Sequence, residues 1–481
     1  MKNLNLLKIL FSLLFISFFG SCFSAQDKDD SGSFKVKFEK VNKAKKIEFA
    51  AGLKYEYPVQ FKSCLDTVLS KLTSGGPQVS GGSKIIIEKI VFKQLGKNEF
   101  KSKFEQHLPQ KFGTPGNLEA YAFQIQGSAL EVIYCADISI FQAAYGLVRL
   151  KKQNDLFDGL YLDWPSIQKR YLHFVNKKTD VNDLTQLTNL ALSGNYNGFI
   201  ILVADGLLLN NPKYKSFGAE HAISEKMLSE WIALWKSYGL EVIPEVKLVS
   251  HQEKFITEQV VKAFQKGKNG ENKILLNNFT YDPMNKPFLD TVIYPYLTEI
   301  QNLFKSKYFH IGHDEVKGVY YFGKEEKNID QSTALKPFAY KQSILDLHKY
   351  FNENFPDVTL MMWGDMFLEY AKYPNMQKKK LTGPNKFPLL LPDIPKDIII
   401  CDWHYFDQGT EFPSFSDIKK SGHVTYAAVW NNKSTGKNFI NYVKENGGNS
   451  AGIITTLWHL PRTDGYAELY DFVPFTGLIA W

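Results

Sequence analysis

The sequence predicts an α/β protein, a (β/α)8 TIM barrel preceded by a small α+β domain, and three observations carry that reading. Strand-like and helix-like stretches alternate through residues 161–481, with eight candidate strands starting near Tyr171, Phe199, Glu241, Tyr308, Val358, Ile398, Val424 and Gly452. Eight such units match a closed parallel barrel, although a doubly wound sheet gives a similar alternation. The placement of polar residues favours the barrel: Asp205, His251, Asp314, Glu315, Asp365 and Trp458 all fall at or just past a candidate strand's C-terminal end, the rim where barrel sites are built. Residues 35–160 have a different texture, mixing strands with a helix.

The elements follow in chain order. Lys2 and Lys8 flank an apolar run from Ile9 to Phe19 that is too short to span a membrane, so residues 1–22 are expected to be an export signal. Its end, Phe19-Gly20-Ser21-Cys22, resembles a bacterial lipobox. A lipid on Cys22 is then the expected membrane attachment, with simple secretion as the alternative. Residues 23–34 are polar and read as a linker. "KIIIEKIVFK" (84–93) reads as a strand, "AYAFQIQ" and "ALEVIYC" as a hairpin turning at Gly127-Ser128, and "ISIFQAAYGLVRLKK" as a helix. In the barrel region, Val181, Leu184, Leu187 and Leu190 share one helical face. Ser224 and Gly239 are the expected N-cap and stop of the following helix.

Composition narrows the function. With 44% hydrophobic residues the chain can bury a large core. Its net charge of +7 comes from 57 basic and 50 acidic residues with no long block of either sign, which argues against a nucleic-acid partner. Aromatic residues make up 15%, enough to supply flat faces for a sugar ring as well as core. Beyond Cys22 the thiols are Cys64, Cys135 and Cys401. A Cys64–Cys135 bridge and buried free thiols both remain open, and the spacing suggests no metal site. No cofactor is expected.

The stretch "KYFHIGHDEVKG" (307–318) carries the chemistry. On a regular strand, neighbouring residues point to opposite faces, so Asp314 and Glu315 reach one site only where the strand ends and the backbone turns. Gly312 gives room for that turn. Two carboxylates in one concave site push their pKa values apart, leaving one neutral as a general acid and the other ionised. Sequence neighbours do not naturally straddle a glycosidic bond, as two-carboxylate glycosidases require. They suit substrate assistance, in which the sugar's own 2-acetamido oxygen attacks the anomeric carbon.

"HIGHDEV" is similar to the His-x-Gly-x-Asp-Glu motif of glycoside hydrolase family 20, the β-N-acetylhexosaminidases. "DWPSIQKR" resembles the family's entry to strand 1, "GLEVIPEVKLVSH" its strand 3 segment, and "YDPMNKPFLDTVIYPYLTEIQNLF" the stretch leading into the acid motif. "MMWGDMF", "IIICDWHYF" and "GIITTLWHL" resemble its tryptophan-bearing strands 5, 6 and 8. The pattern is similar to the hexosaminidase D-like branch. The resemblance implies that Asp314 orients the acetamido group and that Glu315 is the acid and then the base. His251 would support Glu315 in a dyad with Asp205 as the candidate acid. Arg170, Trp363, Trp403 and Trp458 would bind the sugar, with Tyr426 as the candidate acetamido tyrosine of strand 7.

The sequence also departs from the family pattern. Lys247 stands for an Asp, His313 for a Gly or Ala, Leu460 for a hydroxyl-binding Glu, and apolar "FIILV" for a His-Trp-His tract. The expected function is removal of terminal β-linked N-acetylglucosamine or N-acetylgalactosamine, with a glycan or glycoconjugate as the partner. A carbohydrate-binding surface lipoprotein that lost activity is the alternative.

Overall fold

The computed structural model describes residues 35–73, 83–108, 119–176, 179–203, 206–218, 222–251, 275–277, 280–316, 335–368, 373, 387–407, 409–460 and 465–481. The export signal, Cys22, the linker and Asp205 lie outside the described residues. The chain divides into two compact units, 1–165 and 166–481. Among the described residues no helix is long and apolar enough to cross a membrane.

In the first unit, strands Phe38–Glu56, Ser83–Gln94, Ala129–Tyr134, Tyr121–Gln126 and Phe157–Asp163 pair in that spatial order, and the last pairs back onto the first. The expected hairpin forms with Gly127 at φ +62°, a left-handed position that glycine takes without a Cβ penalty. Helix Asp137–Lys152 forms where its apolar spacing predicts. Cys64 and Cys135 are free thiols, so no bridge links them, and burial pushes each up to about 12.

The second unit is the barrel. Its strands, numbered here 1 to 8, are Lys169–Val175, Gly198–Leu202, Glu241–Leu248, Tyr308–Gly312, Thr359–Trp363, Ile399–Trp403, Thr425–Val429 and Gly452–Leu457. They are parallel neighbours in sequence order, and strand 8 closes on strand 1 through Gly452 opposite Lys169 to Leu457 opposite Phe174. That closure decides for the barrel over the doubly wound sheet.

Period-two alternation sorts the side chains. Tyr171, Ile200, Ile243, Met361, Trp363, Ile399, Cys401, Trp403, Tyr426, Ala428 and Ile454 form the interior cluster. Phe174 and Phe199 face the other way and pack against Trp235 on helix Glu225–Ser237. Ser224 caps that helix by accepting from the Met227 N–H, and Gly239 at φ +80° follows its end. On strand 3, Glu245 pairs with His310 and Leu248 with Gly312, so strand 3 carries one extra residue against strand 4. This bulge lies at the C-terminal rim, beside the acid pair.

Candidate active site

The turn that the acid pair needs is present. Gly312, His313 and Glu315 all have left-handed backbone, with φ of +70°, +66° and +46°. The strand's alternation ends there, and both acids reach the same histidine: His251 Nε2 lies 3.4 Å from Glu315 Oε2 and 3.6 Å from Asp314 Oδ2. One oxygen of each acid and a ring nitrogen of His251 fall within 4.8 Å of one another.

Gly312 is required twice over. Its φ suits glycine, and an added Cβ would lie 3.0 Å from Lys247 Cα and 3.2 Å from Leu248 N, where strand 3 passes. His313 has no such freedom, so its surroundings hold it. Nδ1 meets the Ile311 carbonyl at 2.9 Å, Nε2 meets Ser343 Oγ at 3.1 Å, and the Tyr340 hydroxyl donates to the His313 carbonyl. Glu315 is fixed through its backbone N–H, which donates to Asp365 Oδ2 at 2.9 Å. The facing loop is turned in the same way, with Val249 at φ +69° and His251 at +56°. Left-handed non-glycine residues cost on the order of 1–3 kcal/mol each and cluster where function over-determines the backbone.

Lys247 dominates the electrostatics. Its Nζ lies 2.6 Å from Asp314 Oδ2 and 3.7 Å from Glu245 Oε1, and over the rings of Trp458 (4.8 Å) and Trp363 (5.9 Å). Burial alone would raise the Asp314 carboxyl, but Lys247 and His251 outweigh it and hold Asp314 well below the usual carboxylate range. Asp314 is therefore ionised. Glu245 is buried beneath them, bonded to His173 Nε2 at 2.8 Å and to the Trp363 indole N–H at 2.9 Å. Burial opposes its charge too, yet His310, His173 and Lys247 bring it down to about 2. His310 is fully buried, its Nδ1 accepts the Gly312 N–H, and burial pushes it down to about 4, so it braces the strand as a neutral ring.

The structure brings some of the expected sugar-binding residues together and separates others. Trp363, Trp403 and Trp458 all stand at the rim. Trp363 and Trp458 are 5.9 Å apart, Trp403 stacks on Tyr405 at 4.8 Å, and the Trp458 indole donates to the Tyr405 hydroxyl at 3.0 Å.

Arg170 is not part of this group. It lies near the N-terminal end of strand 1, with parity opposite to Tyr171, and its guanidinium donates to the carbonyls of Asn195, Ile167 and Gln168 and lies over the Trp481 ring. It is a structural clamp at the other end of the barrel. Tyr426 faces inward but from the bottom layer, 6.1 Å from Tyr171, so it does not reach the acids. The phenol whose surroundings include Asp314, Glu315 and Trp458 is Tyr405.

Sequence reasoning assigned no role to Glu245, His173 or Tyr405. Parity offers the signal: His173 is two residues after inward Tyr171, Glu245 two after Ile243, and Tyr405 two after Trp403. The donor atoms of His251, Asp314 and Glu315 are close enough for a divalent cation, but the Lys247 ammonium already occupies Asp314 Oδ2.

Residues 203–460, more than half of the 481, match the family described as glycosyl hydrolase family 20, catalytic domain. No curated protein matches the sequence. Among solved structures the chain is similar to the family 20 exo-β-N-acetylglucosaminidase from Vibrio harveyi, solved with N-acetylglucosamine. The TM-score is 0.59 at 14% identity, covering 93% of this chain and 73% of that one. It is also similar to a chitobiase from Flavobacterium johnsoniae, with TM-score 0.58, 15% identity, and 93% and 68% covered. A third is the N-acetyl-β-hexosaminidase of Streptomyces plicatus, solved with Thio-NAglucal, with TM-score 0.60, 11% identity, and 92% and 89% covered. These likenesses show the shared fold, and with the match over residues 203–460 the chain belongs to glycosyl hydrolase family 20.

Proposed function

We propose that this chain is a retaining β-N-acetylhexosaminidase that removes terminal β-linked N-acetylglucosamine or N-acetylgalactosamine by substrate-assisted catalysis. The observation that carries it is the convergence of Asp314 and Glu315 on one nitrogen of His251. Carboxylates this close leave no room between them for the water that an inverting pair activates. Nor does Asp314 suit the part of nucleophile, because the Lys247 ammonium neutralises one of its oxygens. It suits the part of acceptor for the acetamido N–H, stabilising the positive charge that grows there as the sugar's carbonyl oxygen attacks. Glu315, the more exposed acid, then protonates the leaving oxygen and afterwards deprotonates water. Trp363 and Trp458 supply apolar walls, and Tyr405, beside Trp458, is the hydroxyl we assign to the acetamido carbonyl.

Chromogenic β-N-acetylglucosaminide and β-N-acetylgalactosaminide test this together with a thiazoline mimic of the cyclised intermediate. Turnover of at least one glycoside and strong thiazoline inhibition are expected. Binding of the sugars with no turnover supports a lectin-like protein instead. The lipobox-like Phe19-Gly20-Ser21-Cys22 supports a further proposal, that the enzyme is exported and anchored at the cell envelope through Cys22. Membrane partition in a bacterial host, lost on Cys22→Ser, is the expected result.

A further inference from the structure

Lys247 stands where the family resemblance leads to an aspartate, and the structure gives the replacement a part to play. Its side chain is 10% exposed, held between Asp314 Oδ2 and Glu245 Oε1 beneath the Trp458 ring. Glu245 cannot yield, because His173 and Trp363 fix both of its oxygens. The result is an asymmetric Asp314 carboxylate. Oδ2 is taken by Lys247, with His251 at 3.6 Å, while Oδ1 is buried and has no hydrogen-bond partner among the described residues. A buried acceptor left empty is unfavourable until something donates to it.

We propose that Lys247 is a positioning residue: by holding Asp314 Oδ2 it leaves Oδ1 as the single acceptor for the substrate's 2-acetamido N–H. This rests on the substrate-assisted reading above.

The pH behaviour follows from the groups around Asp314. They are Lys247, Glu245 and His251 from strand 3 and the turn after it, His310 from strand 4, its chain neighbours His313 and Glu315, Asp365 after strand 5, Tyr405 after strand 6, and Tyr340 on helix Pro337–Asn354. Lys247 is the nearest fixed cation among them, so its removal lets burial raise the Asp314 carboxyl.

The test compares Lys247→Met and Lys247→Arg with the unaltered protein on an aryl β-N-acetylglucosaminide, measuring kcat/KM against pH, thiazoline affinity and thermal melting. Lys247→Met is expected to lose activity at a higher pH on the acid side than the unaltered protein does, because the buried Asp314 carboxyl rises once its ammonium partner is gone. Lys247→Arg keeps the charge and hence the original acid-side profile, but its planar fork takes both carboxylate oxygens, so thiazoline affinity falls. A folded Lys247→Met protein with an unshifted profile overturns the proposal, and so does a Lys247→Arg protein that binds thiazoline undiminished. If Lys247→Met does not fold, the arginine variant decides alone. An unaltered protein that turns over no N-acetylhexosaminide overturns the functional reading and this inference together, whereas an active one with unresponsive variants overturns only the inference.

Discussion

The two ends of the barrel each hold a lysine, a glutamate and a set of aromatic rings, and they differ in what is left over. At the N-terminal end Lys169 Nζ bonds both oxygens of Glu241 at 2.7 and 2.8 Å, the Tyr171 hydroxyl donates to the same carboxylate, and Lys169 lies over the Tyr308 ring. None of these residues has left-handed backbone. At the C-terminal end Lys247 engages Asp314 and Glu245, but among the described residues Asp314 Oδ1 has no partner, and the chain is left-handed at Val249, His251, Gly312, His313 and Glu315. The same residue types close one end and open the other. An ion pair with every oxygen matched is architecture; one with an oxygen unmatched, set in a strained backbone, is where a substrate's hydrogen bond can be worth most.

Substitutions at the two ends should therefore differ in kind. The largest effect is expected from Glu315→Gln, which should lower turnover by about 10²- to 10⁴-fold on natural glycosides and less on those with good leaving groups, which need little protonation. Equal loss on both, in steady-state kinetics, would remove Glu315 from the acid's role. Asp314→Asn should cost about 10²- to 10³-fold in kcat, since a neutral amide cannot stabilise the acetamido charge. Trp458→Ala should weaken thiazoline binding by roughly tenfold while the melting temperature changes little. A protein that melts early but binds normally would make Trp458 core rather than wall.

A pH effect of intermediate size concerns the folded state. Burial holds His310 and His313 down to about 4, against an unfolded value of about 6.5. The unfolded chain thus takes up these protons first. The stability from keeping the rings neutral is present above pH ~6.5 and is lost as pH falls through ~6.5 to ~4, on the order of 3 kcal/mol for each ring. Denaturant titrations at pH 7 and pH 4.5 should show it, and His313→Gln should flatten the difference. The smallest effect belongs to the closed end. Lys169 and Glu241 are partly exposed, so Lys169→Met should cost no more than about 1 kcal/mol and leave kcat unchanged. A large loss of turnover there would break the distinction between the two ends.

The fold was legible because barrels write their strands as buried apolar runs, and the chain punctuates its elements by familiar means. Ser224 before the helix Glu225–Ser237 and Gly127 in the hairpin each form the turn or cap that their chemistry favours. The rim was legible for the same reason: Trp363 and Trp403 end recognisable strands, and His251, Asp314, Glu315 and Trp458 follow them. What failed was depth and parity. Arg170 and Tyr426 lie in strands that do contribute to the interior, but Arg170 points outward and Tyr426 sits a layer too low, and a motif match carries neither coordinate. The engagement of Lys247 with Asp314 joins residues 67 positions apart and depends on a left-handed turn at a histidine, which no local propensity announces.

The central claim is that the nucleophile comes from the substrate and that Asp314 serves it. The most direct measurement is kcat/KM for a series of aryl β-glycosides whose 2-acetamido group is replaced by fluoroacetamido, difluoroacetamido and trifluoroacetamido, with the leaving group held constant. Fluorine withdraws electrons from the amide carbonyl and weakens it as a nucleophile, so the account predicts a steep and regular fall in rate along the series. A flat series, together with a sugar found covalently attached to Asp314 or Glu315 by intact mass measurement, would contradict it and assign the nucleophile to the protein.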